Sequence, residues 1–158
     1  MTMQFRPATA RDTLLLASLA REAFDPMFGE GWSSSQLTGT LSQPHAWSEI
    51  ASRNDTPLGF TLSRIAADEA ELLLVAVHPK ERGQGLGREL LLRAAGHAVN
   101  NGARFMHLEV RKNNLPALNI YRAAGFCEVG QRTAYYRGMD GHAHDAVTMK
   151  RELPIISA

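Results

Sequence analysis

The sequence predicts a mixed α/β fold in a single domain, residues 1–158, with a central, mostly antiparallel sheet and helices on both faces. Three observations carry this expectation. Residues 47–51 and 58–65 are strand-like runs joined through the turn signal Asn54-Asp55, which implies an antiparallel pair. Residues 72–77 form an unbroken apolar run that leads through a glycine-rich turn into a helical pattern. A further strand at 105–110 precedes another helical pattern, so a strand-helix-strand-helix unit follows the antiparallel part.

Taken in order, residues 4–6 read as a short first strand. Thr9-Ala10-Arg11-Asp12 fits a capping box with Asp in place of Glu or Gln. The helix behind it carries Leu15, Leu16, Leu19, Ala20 and Ala23 at helical spacing. Residues 25–31, Asp-Pro-Met-Phe-Gly-Glu-Gly, form a loop with exposed-looking apolar side chains. Ser33 to Gln36 repeats the capping spacing, so a second short helix runs to about Leu41. After the antiparallel pair, the apolar run at 72–77 suits a strand covered on both faces. The next helix runs from about Gly87 to Val99, and Asn101-Gly102 ends it as a left-handed C-cap would. Residues 105–110 are a strand, residues 115–124 a helix stopped by Gly125, and residues 127–129 and 146–151 the last strands.

Composition narrows the function classes. The chain has 17 basic and 16 acidic side chains, a formal net charge of +1, so it exerts no strong pull on nucleic acid or membranes. Any anionic ligand must be held by a local site. Cys127 is the only cysteine, which rules out an internal disulfide and fits a reducing compartment. The first ten residues hold no long apolar stretch, and the run at 72–77 is too short to span a bilayer. The expectation is a cytoplasmic enzyme.

The most informative segment is the turn Arg82-Gly83-Gln84-Gly85-Leu86-Gly87-Arg88 between strand and helix. Glycines let a backbone turn tightly or approach a ligand. The first turn of a helix offers N–H groups without intrahelical partners, and the helix dipole favours an anion there. Arg82 and Arg88 add charge. The physics predicts a phosphate or pyrophosphate at this helix start; the competing reading is a flexible turn that binds nothing. A Walker loop would need Gly-Lys-Ser/Thr, and this one ends Gly87-Arg88-Glu89. A dinucleotide fingerprint would need a glycine where Arg88 stands. ATP and NAD are therefore disfavoured. Arg82-Gly83-Gln84-Gly85-Leu86-Gly87 instead resembles the acetyl-CoA pyrophosphate loop of the Gcn5-related N-acetyltransferase superfamily.

Acetyl transfer from a thioester to an amine needs a proton acceptor for the amine, donors for the developing oxyanion and a proton for the leaving thiolate. Glu109 lies near the end of the strand Phe105-Met106-His107-Leu108-Glu109-Val110, where a carboxylate is unusual. It reads either as a base or as a surface residue paired with Arg111. Tyr121 reads either as a phenol able to protonate sulfur or as a core aromatic. Asn113 and Asn114 precede the helix, and either caps it or reaches a ligand.

Leu108-Glu109-Val110-Arg111-x-x-Asn114, followed by Ala117-x-x-x-Tyr121-x-x-x-Gly125-Phe126, is similar to the bacterial ribosomal-protein-alanine N-acetyltransferases, the RimI type. Tyr135-Tyr136, Asp140-Gly141 and Asp145-Ala146 continue the likeness. The resemblance implies that Glu109 is the proton acceptor and Tyr121 the proton donor. It also implies acetyl-CoA contacts at Val75, Ala76 and Val77 through main chain, at Gly83 through Arg88 with Arg82 beside them, and at Asn114. The sheet would splay between the strands at 72–77 and 105–110 to admit the pantetheine arm. The acceptor implied is the N-terminal alanine of a small-subunit ribosomal protein. The sequence departs from the enterobacterial pattern before Trp32-Ser33, where a compact Phe-Pro-Trp-Ser is replaced by residues 24–33. In the superfamily that region lines the acceptor groove. Two other readings stay open: acetylation of a small-molecule amine or lysine, and a non-catalytic acyl-CoA-binding module.

The remaining candidates have plainer expectations. Glu30 either attracts a substrate ammonium or is a solvated loop charge, and the solvated charge is expected. His142 and His144 suggest a turn rather than a metal site, since two histidines one residue apart have no cysteine or third histidine nearby, and no metal is expected. His107 shares strand parity with Glu109 and either tunes it or simply packs. Cys127 is expected to be a small buried residue. Tyr135 and Tyr136 either shape the acceptor mouth or cover the sheet edge.

Overall fold

Local capping chemistry sets where the first helices begin. Thr9 and Asp12 form the predicted reciprocal box, but it opens a short 3-10 turn, Ala10–Asp12, and the α-helix α1 (Thr13–Ala23) continues from it. Ser33 and Gln36 form a second box at the start of α2 (Ser34–Leu41). Each box satisfies donors that the first helical turn leaves unpaired. The computed structural model describes residues 2–154; Met1 and residues 155–158, the ends of the predicted domain, lie outside the described residues.

The strands are β1 (Gln4–Pro7), β2 (Ala46–Arg53), β3 (Thr56–Ala66), β4 (Glu69–Val77), β5 (Phe105–Arg111), β6 (Cys127–Arg137) and β7 (Ala143–Glu152). They form one seven-stranded sheet in the order β1-β2-β3-β4-β5-β7-β6. Among the described residues only the β4–β5 pair is parallel. Asn54 and Asp55 both take positive φ, 52° and 63°, as a two-residue hairpin turn between β2 and β3 requires. The helix α3 (Leu86–Asn100) joins β4 to β5, and α4 (Leu115–Ala123) joins β5 to β6. Gly102 and Gly125, at φ of 87° and 92°, follow the ends of these helices as predicted.

Every strand extends further than the sequence reading placed it, three of them by three residues or more at one end. β4 starts at Glu69 and β6 runs to Arg137, while β7 starts at Ala143. The reason is pairing rather than local preference. β6 and β7 hold each other as a long hairpin, and β6 is the sheet edge, so its outward face needs no apolar pattern. Cys127 opens that edge strand and is exposed, not buried as expected.

The sheet lies between two helical layers. Leu16, Leu19, Ala20 and Leu37 of α1 and α2 pack with Ile50, Phe60, Leu62, Leu74 and Ala76. Leu91, Ala94, Ala98 and Leu118 of α3 and α4 pack with Ala70, Leu72, Met106, Leu108 and Val110 on the opposite face. β4 therefore contributes to both layers. Opposite β3, Leu62 pairs with Leu74 but Ser63 pairs with Leu72, so Leu73 is an extra residue, a β-bulge. An extra residue reverses which face later side chains occupy. Ala70 and Leu72 consequently meet the α3 layer, whereas Leu74 and Ala76 meet the α1 layer.

Candidate active site

The same bulge opens the sheet. β4 and β5 pair from Glu69–Phe105 to Leu72–Leu108, and no pair follows. Beyond that point Leu73–Val77 and Glu109–Arg111 diverge, which is the predicted splay between these two strands. The His78 N–H bonds to the Leu58 carbonyl, 2.7 Å away, so that residue faces β3. Main-chain groups alternate sides along a strand. Ala76 thus bonds back toward β3, and the amides and carbonyls of Val75 and Val77 turn to the open side. Of the three strand residues named by the sequence reading, Val75 and Val77 have main chain turned away from β3 and Ala76 does not.

The turn after β4 carries Arg82 to Arg88. Gly83 and Gly85 take φ of 78° and 87°, a conformation other residues rarely adopt. Gly85 is the N-cap of α3, and no side chain caps it. The first-turn N–H groups of α3 are left for a ligand or for water. Gln84 and Arg88 are exposed beside them, while Leu86 is buried against Leu90 and Ala51. Gly87 has ordinary helical geometry, and a carbon added to it would touch Val77 and Ile120 at 3.7 and 3.9 Å. Its place is therefore between the open end of β4 and α4. Arg82 departs from expectation: its guanidinium donates to the Ala23 carbonyl at the end of α1. The last carbonyls of a helix attract cations, so this charge braces α1 instead of facing the loop's N–H groups.

Glu109 stands on the other lip of the splay, directly across from Thr148 in β7. Thr148 Oγ1 donates to its carboxylate at 2.8 Å, and Arg132 approaches the second oxygen at 3.6 Å. Arg111, the partner in the alternative reading of Glu109, is engaged elsewhere. His107, on the same face, turns toward Glu69 and Glu71, at 3.9 and 3.8 Å, instead of toward Glu109. Its strand neighbours decide this, because Glu71 is its register partner.

Tyr121 on α4 packs against the α3-side core and lies edge-on to Phe126, with ring centroids 6.1 Å apart. Burial first, and the Glu30 carboxylate second, push its phenol up from 10.0 to about 12. It therefore keeps its proton throughout the neutral range. Asn114 caps α4: its side-chain oxygen accepts from the Ala117 N–H at 3.3 Å.

Several residues complete the site that sequence reasoning missed or left undecided. Glu30 is not a solvated charge. It pairs with Arg111 at 3.1 Å, and the two side chains are only 13% and 12% exposed. Arg111 in turn lies 3.7 Å from the centre of the Phe28 ring. Tyr136 donates to the Glu109 carbonyl at 3.1 Å, and burial pushes its phenol far up. It reaches inward because β6 carries extra residues between Arg132 and Tyr136, where Ala134 has φ 55° and donates to Asp145 at 2.9 Å. Thr148 and Arg132 had no signal in the sequence, since only register brings them to Glu109. The 25–31 loop forms a cleft of about 510 Å³ with the β6–β7 connection, lined by Phe24, Trp32, Arg21, Arg137 and Met139 among others. His142 sits in that connection, exposed and paired with Asp140 at 2.6 Å; His144 packs edge-on against Phe28.

The sequence profile of the acetyltransferase (GNAT) family matches residues 15–126. The chain is 37% identical over 103 residues to the ribosomal protein bS18-alanine N-acetyltransferase of Escherichia coli strain K12, covering 65% of this chain and 68% of that one. It is 32% identical over 148 residues to N-alpha-acetyltransferase RimI of Mycobacterium tuberculosis, covering 91% and 89% of the two chains. The crystal structure of the Escherichia coli ribosomal-protein-S18-alanine N-acetyltransferase superposes with a TM-score of 0.86 at 25% identity, over 99% of this chain and 97% of that chain. The yncA structure from Salmonella typhimurium, solved with acetyl-CoA, shares the fold at a TM-score of 0.80 and 19% identity, over 100% and 98%. On profile, on identity along nearly the whole mycobacterial relative, and on a sheet that opens after Leu72 as predicted, this chain belongs to the acetyltransferase (GNAT) family, and its relatives include the RimI type.

Proposed function

We propose that this acetyltransferase uses acetyl-CoA to acetylate the N-terminal α-amine of a protein, an alanine of a small-subunit ribosomal protein foremost. The observation that carries the reading is the splay itself. Unpaired main chain of Val75 and Val77 on one lip faces Glu109 on the other, with a bare helix start at Gly85 beyond. The RimI-type relatives support the acceptor class.

Acetyl-CoA supplies the acetyl thioester. The first-turn N–H groups of α3 hold its diphosphate, and the main chain of Val75 and Val77 aligns the arm and polarises the thioester carbonyl. Glu109, steadied by Thr148, takes a proton from the attacking amine directly or through water. The new C–N bond forms as the C–S bond breaks, and Tyr121 gives its proton to the departing thiolate. No acyl-enzyme is needed, because amine and thioester meet in one ternary complex.

Steady-state assays with Ala-Arg peptides against free amines test the acceptor, and Glu109→Gln and Tyr121→Phe test the roles. Each substitution is expected to lower kcat by about 10²–10⁴-fold with coenzyme affinity retained. Turnover that survives both changes overturns the assignment, and inactivity on every peptide overturns the N-terminal acceptor.

A further inference from the structure

The 25–31 loop is held rigidly on one side. Met139 donates to the Pro26 carbonyl at 2.9 Å, and the Gly29 and Gly138 backbones press directly on Arg137 and Met27. Its tie to the catalytic strand is Arg111, two residues after Glu109 on the same face of β5. Arg111 makes two contacts that only a planar cation can make together. One edge donates to Glu30, and the flat face covers Phe28. This pair is more enclosed than a surface ion pair, so removing one partner leaves a poorly solvated charge. The charge left by loss of Arg111 would be Glu30, which bears electrostatically on both Tyr121 and Tyr136.

We propose that Arg111 is a positioning residue for acyl transfer: through Glu30 and Phe28 it fixes the acceptor-side loop relative to Glu109, and so sets acceptor affinity without touching the coenzyme. The inference rests on the functional reading above, in which Glu109 and Tyr121 flank the reacting amine. A loop displaced by a fraction of a bond length changes the approach of the amine but leaves the α3 helix start untouched, because that helix lies on the opposite face of the sheet.

The test uses the full chain and whichever amine the parent enzyme acetylates among Ala-Arg peptides and free amines. KM is measured for that acceptor and for acetyl-CoA in Arg111→Met, Arg111→Lys, Glu30→Gln and the double variant Glu30→Gln/Arg111→Met. Arg111→Met and Arg111→Lys are expected to raise acceptor KM about tenfold or more, with acetyl-CoA KM within about twofold. The double variant recovers part of the loss relative to Arg111→Met, since no unpaired carboxylate remains. If Arg111→Met does not fold, Arg111→Lys and Glu30→Gln carry the same criterion. Acceptor KM unchanged within about twofold, or both KM values rising together, overturns the proposal. Turnover surviving Glu109→Gln and Tyr121→Phe would sink the functional reading instead, so the two failures are distinguishable.

Discussion

The 82–88 loop and the 25–31 loop flank the same opening, and glycine serves different ends in them. A side-chain carbon built on Gly83 or Gly85 would meet nothing within 4 Å, so these positions need glycine for positive φ alone. A carbon built on Gly29 would lie 2.1 Å from the Arg137 carbonyl oxygen, and one on Gly138 would lie 1.8 Å from that of Met27. Here glycine lets two backbones pack. The first loop leaves its main chain bare toward open space, as a ligand site must. The second uses its main chain to close on the β6–β7 hairpin. On the proposed reading, one side receives an anion and the other holds a wall still.

That contrast predicts separable failures. The largest is catalytic: Glu109→Gln should reduce kcat by about 10²–10⁴-fold while calorimetry finds coenzyme affinity unchanged. Coenzyme binding lost in the same variant would erase the division between the two sides. Next, Gly138→Ala forces backbone apart and should cost about 1–3 kcal/mol in urea unfolding, with coenzyme affinity spared in the folded fraction. Gly85→Ala should cost about 1–2 kcal/mol from its left-handed backbone, and it should weaken coenzyme binding as well. Asn114→Ala removes a helix cap worth about 1 kcal/mol; unchanged coenzyme affinity would assign Asn114 to capping alone.

The last effect is confined to alkali. Burial holds Tyr121 near 12 against an ordinary 10.0, and it raises Tyr136 in the same direction. The unfolded chain releases these protons first, so stability is intact below pH 10 and falls as pH rises from about 10 toward about 12. Tyr121→Phe should flatten part of that fall in thermal melts. A slope left unchanged would mean the phenol is not shielded from water.

Much of the fold could be read from short stretches of chain. The capping pairs Thr9/Asp12 and Ser33/Gln36, the Asn54-Asp55 turn and the glycine stops all act within a few residues, and the structure forms each of them. The sheet opening was expected only through family resemblance; its cause, the extra residue Leu73, leaves no mark in an unbroken apolar run. Arg82, read as a phosphate contact, turned instead to α1, because the end of a helix distant in sequence offers it a carbonyl.

Sequence alone determined where the backbone must bend and where helices start, because dihedral preference and capping depend on adjacent residues. It also marked Glu109 and Tyr121 as the groups to watch. Tertiary structure alone decided their company. Thr148 meets Glu109 by strand register, and Glu30 meets Arg111 across 81 residues of sequence. Such contacts follow from the path of the whole chain, and no local pattern encodes a path.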